Sequence, residues 1–194
     1  MTTPKHYPLS EFKPLTEELL RLVWQWRNQS EIRRNMHNDA PISWDEHLSW
    51  FSALKQNSKR RFLVFFQDGR PIGVLNFSTM TDGVLEWGCY LGETDVWPGS
   101  GLLLEIAALD YASSDKTADT LYAEVLSFNQ SVIKMHQLFG YQQMPEKPGA
   151  TRENEAYQVK VFTYPLTAWR INREAILAKL PKQIAAAAAR IQFY

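Results

Sequence analysis

Residues able to do chemistry cluster in the middle of the chain. Trp97-Pro98-Gly99-Ser100-Gly101-Leu102 stands between a predicted strand and a predicted helix. Glycines there let backbone N–H groups approach an anion, and a helix N-terminus adds partial positive charge, which suits a pyrophosphate. Glu86 on the preceding strand and Glu124 on the following one are carboxylates that could accept a proton if the two strands border a cleft. Cys89, the single cysteine, offers a nucleophile as an alternative, although a cysteine on a central strand is more often a core residue.

The elements that position these groups can be read from periodicity and turn chemistry. Thr16 is placed to cap a helix carrying Leu19, Leu20, Leu22, Val23 and Trp26 as an apolar stripe. A short helical piece, Glu31 to Met36, follows. Ser43 with Glu46 forms a capping box ahead of Leu48, Phe51 and Leu54. Asp68-Gly69 between the apolar runs 61–66 and 71–77 predicts a hairpin. Asp82-Gly83 turns the chain into a strand over 84–91, a loop covers 92–101, and a helix covers 102–112. A strand over 120–126 leads to a helix that starts at Asn129 and closes at Phe139-Gly140, and the last strand is 155–164. From Thr167 the pattern is helical, with a break at Pro181 and an Ala-rich helix over 184–191. The order implies an α/β domain on one mixed, mostly antiparallel sheet over residues 1–166, with a helical extension over 167–194 that packs on the domain, joins two copies as a homodimer, or frays.

Composition sets the outer bounds. The chain has 194 residues, 45% of them hydrophobic, with Lys plus Arg at 21 and Asp plus Glu at 21. This size fits one domain, and zero net charge gives no general attraction to nucleic acid or to an anionic membrane. One cysteine cannot make an internal disulfide, and the first dozen residues lack an apolar leader, so a cytoplasmic protein is expected. Seven Trp, eight Tyr and ten Phe supply both core and stacking surface.

The run from Asn129 to Tyr141, in which Asn heads a helix that ends in Gly-aromatic, together with the glycine loop upstream, resembles the signatures of the GCN5-related N-acetyltransferase (GNAT) superfamily. The resemblance spans roughly residues 7–164. It implies the GNAT fold, acetyl-CoA as co-substrate and no metal. It also implies pyrophosphate contacts at Gly99, Ser100 and Gly101, with Val96, Trp97, Leu102, Asn129 and Lys134 completing the cofactor site, and a pantetheine arm along the backbone of Cys89, Tyr90 and Leu91. Three positions depart from the family pattern. Val96 replaces the usual Gln or Arg, and Pro98 removes an N–H donor. His136 occupies the position of the tyrosine that protonates the leaving thiolate, and imidazole can donate a proton near neutral pH. Glu86 or Glu124 would then serve as base toward the amine.

Trp26-Arg27-Asn28, Ile42 to Leu48, Gly73 to Phe77 and Ala168-Trp169-Arg170 resemble the superfamily branch that acetylates the 4-amino group of a UDP-linked 4-amino-4,6-dideoxy sugar in pseudaminic acid biosynthesis. That branch implies a nucleotide-linked amino sugar as partner, direct attack in a ternary complex, and substrate contacts at Arg27, Asn28 and His47. Arg27, Arg33 and Arg34 form the nearest cationic cluster for a diphosphate. Two other readings remain open: an acetyltransferase of protein N-termini, as in the ribosomal-protein branch, and a non-catalytic acyl-CoA-binding module.

Overall fold

The computed structural model describes residues 6–194. Among these, eight strands form a single sheet in the order β6-β7-β5-β4-β3-β2-β1-β8. The strands are β1 (Ser10–Pro14), β2 (Arg60–Gln67), β3 (Arg70–Thr81), β4 (Val84–Leu91), β5 (Thr120–Leu126), β6 (Gln142–Arg152), β7 (Glu155–Pro165) and β8 (Ile191–Phe193). Helices α1 (Leu20–Arg27), α2 (Ser30–Arg33) and α3 (Trp44–Gln56) cover one face. The other face is covered by α4 (Ser100–Ser114), α5 (Gln130–Phe139), α6 (Leu166–Leu177) and α7 (Lys182–Ala188).

Two-sided burial explains the unbroken apolar run in β2. Leu63 and Phe65 join the core under α4 and α5, while Val64 between them joins the core under α1 and α3. Asp68 (φ 48°) and Gly69 (φ 82°) make the predicted hairpin turn, with both residues at positive φ. The capping box at Ser43 and Glu46 forms as read, each side chain bonding the other's backbone.

Four sequence-based expectations require correction. Thr16 precedes only a 3₁₀ turn and makes no side-chain cap; α1 starts at Leu20. The helix expected from Leu102 begins at Ser100, because Gly99, at φ 109°, is its N-cap. Ser100 and Gly101 are therefore helical rather than loop. A whole strand, β6, pairs antiparallel with β7, and the Ala-rich helix stops at Ala188 so that Ile191–Phe193 can pair parallel with β1.

The carboxy-terminal segment is built into the main core. Trp169 is fully buried and donates its indole N–H to Asp110 on α4 (2.8 Å), and Arg173 makes a paired contact with the same carboxylate (2.7 and 2.8 Å). Ile184, 2% exposed, seats α7 against Gly99 at the head of α4. Removing this side chain leaves a cavity under the loop that orients α4. Ile184→Ala is expected to lower the unfolding free energy by about 2–4 kcal/mol in a single transition, as read by urea denaturation; a change below about 0.5 kcal/mol would mean that the segment does not pack this way in solution.

Candidate active site

The site originates in a parallel strand pair that comes apart. β4 and β5 are paired only at Val84 with Thr120, Leu85 with Leu121 and Glu86 with Tyr122. Beyond that rung β4 pairs only with β3, and β5 only with β7. The facing backbone edges of Trp87 to Leu91 and Ala123 to Leu126 thus have no strand between them, and an extended ligand arm could bond there as an inserted strand. They open into a cleft of about 1000 Å³ that passes through the sheet between its two helical layers.

Alternation along the strands sorts the cleft residues by layer. Leu85, Trp87, Leu121, Ala123 and Val125 belong to the core beneath α4 and α5, and Leu91 packs against it; Tyr90 packs on the opposite layer, under α1 and α3. By this alternation Cys89 falls on the α4 side, and Glu86 and Glu124 fall on the α1–α3 side.

On the α4 side, the first helical turn supplies anion donors. The Ser100 amide is taken by the Trp97 carbonyl (3.0 Å), and its hydroxyl, 1% exposed as a residue, lies 2.7 Å from the same carbonyl and 3.0 Å from Gln67 Oε1. That leaves the amides of Gly101 and Leu102 in the first turn without intrahelical acceptors. A side chain at Gly101 would meet only Met135 Cε, at 3.5 Å, so the protein itself does not require a glycine there. Gly99 differs: its Cβ would lie 2.4 Å from Ile184 Cδ1 on a backbone at φ 109°, so this glycine serves the fold. Asn129 lines the cleft at the head of α5. Val96 and Trp97 line a separate small hollow beside Gln67 and Arg70, and Lys134 is exposed and away from the cleft. Gly101 and the backbone edge of Cys89 to Leu91 thus border the cleft, whereas Val96, Trp97, Leu102 and Lys134 do not line it.

His136 is buried at the inner wall. Its Nδ1 lies 2.9 Å from Glu105 Oε1, and each side chain is 2% exposed. Tyr141 stacks on the imidazole at 4.5 Å, and Phe162 meets it edge-on at 5.1 Å. Cys89 opens onto the cleft, but the surrounding protein and the Glu105 carboxylate push its ionisation well above the ordinary thiol range. A protonated thiol is a poor nucleophile.

On the α1–α3 side the two carboxylates differ. Glu124 is engaged three times: by Lys147 (2.5 Å), by the Tyr122 hydroxyl (2.5 Å) and by His37 (3.1 Å). Burial would raise its pKa, but these partners outweigh burial and hold it below the usual range. Glu86 makes no ion pair or side-chain hydrogen bond among the described residues; burial, then the charge of Glu124, raise its pKa against the pull of His37, Lys147 and Arg60.

The Trp-Arg-Asn segment is mostly scaffold. Trp26, 1% exposed, donates to Glu93 (2.8 Å) and lies so close under Gly92 that a Cβ there would sit 2.1 Å from the indole. Asn28 clamps both backbone groups of Ile42 (2.8 and 2.9 Å). His47 donates Nε2–H to the Leu20 carbonyl (3.0 Å) and stacks on Trp50, tying α3 to α1. Arg27 lines the cleft, bonds the Asn38 carbonyl through Nη2 (2.8 Å), and has a buried Nη1 with no acceptor among the described residues. The expected cluster does not assemble: Arg33 is held by the Asn28 and Asp39 carbonyls, and Arg34 pairs with Glu31 at the surface. Arg60, not singled out in the sequence because it reads only as a strand flank, lines the cleft and makes no ion pair among the described residues.

A family model described as Acetyltransferase (GNAT) domain matches residues 11–142. The chain belongs to the GNAT acetyltransferase family. Two curated relatives, each named Acetyltransferase PseH and both from Campylobacter jejuni subsp. jejuni, serotypes O:23/36 and O:2, are 31% and 32% identical over 129 residues, covering 66% of this chain and 80% of theirs. Among solved structures, spermidine N-acetyltransferase from Vibrio cholerae in complex with CoA and spermine matches with TM-score 0.75 at 16% identity, covering 84% of this chain and 98% of that one. YncA from Salmonella typhimurium with acetyl-CoA matches with TM-score 0.67 at 17% identity, covering 81% and 94%. At such identities these two establish the GNAT fold. This acetyltransferase is an acetyl-CoA-dependent N-acetyltransferase.

In the acetyltransferase, Gly101→Val adds bulk on the cleft side without displacing protein atoms other than the end of Met135. Acetyl-CoA binding by calorimetry is expected to weaken at least about tenfold with unchanged thermal stability; unaltered affinity would remove the cofactor from this turn of α4.

Proposed function

We propose that this enzyme transfers an acetyl group to the 4-amino group of a UDP-linked 4-amino-4,6-dideoxy sugar, as in pseudaminic acid biosynthesis. The likeness to the two PseH acetyltransferases supports the substrate class. The geometric observation that carries the reading is Arg27, a cleft guanidinium with a buried Nη1 that no protein acceptor satisfies. An unmet buried donor on a cation costs about 1–3 kcal/mol, and a diphosphate oxygen is the kind of acceptor that would offset it. Arg60, also lining the cleft, adds a second cation without an ion pair among the described residues.

Bound acetyl-CoA supplies the activated acetyl carbonyl. Glu86, its basicity raised by burial and by the charge of Glu124, accepts the proton shed by the attacking amine. Glu124 is held by Lys147 and Tyr122 and serves as the neighbouring charge that keeps Glu86 basic. His136 delivers a proton to the leaving sulfur. The thiol of Cys89, held protonated, takes no covalent part, so transfer is direct.

Two measurements test this assignment. Glu86→Gln should lower kcat on the order of 10²-fold, whereas Glu124→Gln should lower it by less than about tenfold; the reverse ranking would move the base to Glu124. Arg27→Ala should raise KM for the UDP-amino sugar by roughly 10-fold to 100-fold, with acetyl-CoA affinity unchanged. Robust acetylation of N-terminal peptides with none of any UDP-amino sugar would reject the substrate and retain the family.

A further inference from the structure

We propose that Glu105 is the positioning residue of the proton donor, a buried carboxylate that holds His136 by its Nδ1–H and thereby presents Nε2 to the cleft. This rests on the reading of His136 as the acid.

Glu105 is the only charged residue between Ser100 and Leu109, and it is buried in a helix whose neighbours Leu103, Leu104, Ile106, Ala107 and Ala108 are all core. A carboxylate in such a place is costly unless a partner meets it, and a well-packed apolar side chain would serve stability as well or better. Its partner is His136, at 2.9 Å, with both side chains 2% exposed. Since a carboxylate only accepts, the Nδ1 atom is the one carrying hydrogen. Nε2 then has no protein partner among the described residues, on a residue that lines the cleft.

The ring has little freedom to turn away. Tyr141 stacks on it at an interplanar angle of 25°, Phe162 abuts it at 73°, and Trp87 approaches at 5.7 Å. The His136 carbonyl accepts both the Gly140 and the Tyr141 amide (3.1 Å each), which fixes the backbone at the end of α5. The other ionisable groups of the box are the Tyr141 hydroxyl and the Cys89 thiol. Burial and the Glu105 charge keep both protonated, so neither supplies a competing anion for the imidazole.

Proton and electron accounts close on these residues. As the N–C bond forms and the C–S bond breaks, Glu86 takes the amine proton and the sulfur takes the Nε2 proton of the imidazolium. The imidazole is left neutral with its remaining hydrogen on Nδ1, still bonded to Glu105.

Glu105→Gln preserves shape and an acceptor while removing the charge. It is expected to lower kcat roughly tenfold to hundredfold with KM for acetyl-CoA within about threefold, and to have almost no further effect when added to His136→Phe, because it acts only through that ring. Equal losses in the wild-type and His136→Phe backgrounds would make Glu105 a merely structural residue and overturn the proposal. An unchanged kcat in Glu105→Gln would overturn it while leaving His136 as the acid, whereas a fully active His136→Phe would reject both. A measurement on the unaltered protein covers the case in which Glu105→Gln does not fold. With ¹⁵N-labelled histidine, and His136→Phe for assignment, the neutral ring should be the Nδ1–H tautomer, and finding the Nε2–H tautomer would overturn the proposal.

Discussion

The parting of β4 from β5 after three paired rungs is the constraint on which the rest of the site depends. Parallel strands gain by continuing to pair, so two unpaired backbone edges facing each other inside a sheet must be held apart by what flanks them. Here β3 holds one strand and β7 the other over their full remaining lengths. The gap opens the sheet from one helical layer to the other, so that residues of the α4 face and of the α1–α3 face line one cleft.

The division of labour between the faces follows from what each side chain has left to offer. Around the cleft most polar groups are engaged: Asn28 with Ile42, His47 with Leu20, Ser100 with Trp97, Glu124 with Lys147. Among the described residues the exceptions include Glu86, Arg60, Arg27 Nη1, Trp87 Nε1, His136 Nε2 and the amides of Gly101 and Leu102. Two glycines two residues apart make the same point: Gly99 is required by its own backbone and by Ile184, while at Gly101 a side chain would meet only Met135.

Much of this was legible in the sequence, and the failures have physical causes. Strands β4 and β5 and helix α5 match their periodicity and turn signals to the residue or nearly so, because each has one strongly buried face. β6 was invisible because its run, Gln142 to Arg152, is exposed at almost every position, contains two prolines and is interrupted by bulges, so no alternation develops. β8 is three residues long and follows alanines that read as helix. The chemistry of Trp26-Arg27-Asn28 could not be divided from sequence either, since only the packing shows that the first and third residues serve the fold. Glu105 was hidden for the opposite reason, being a lone acid inside an apolar helix, whose partner lies 31 residues away.

The hairpin of β6 and β7 carries one more consequence. From the end of β6, Arg152 bonds the carbonyls of Arg34, Met36 and His37 and pairs with Asp39 (3.3 Å), gathering a stretch that forms one rim of the cleft. Three carbonyls are thus held by one guanidinium. The position of that rim is therefore tied to a side chain more than a hundred residues distant along the chain, and the edge of the cleft can be reshaped by sequence change at a hairpin residue that does not itself line it.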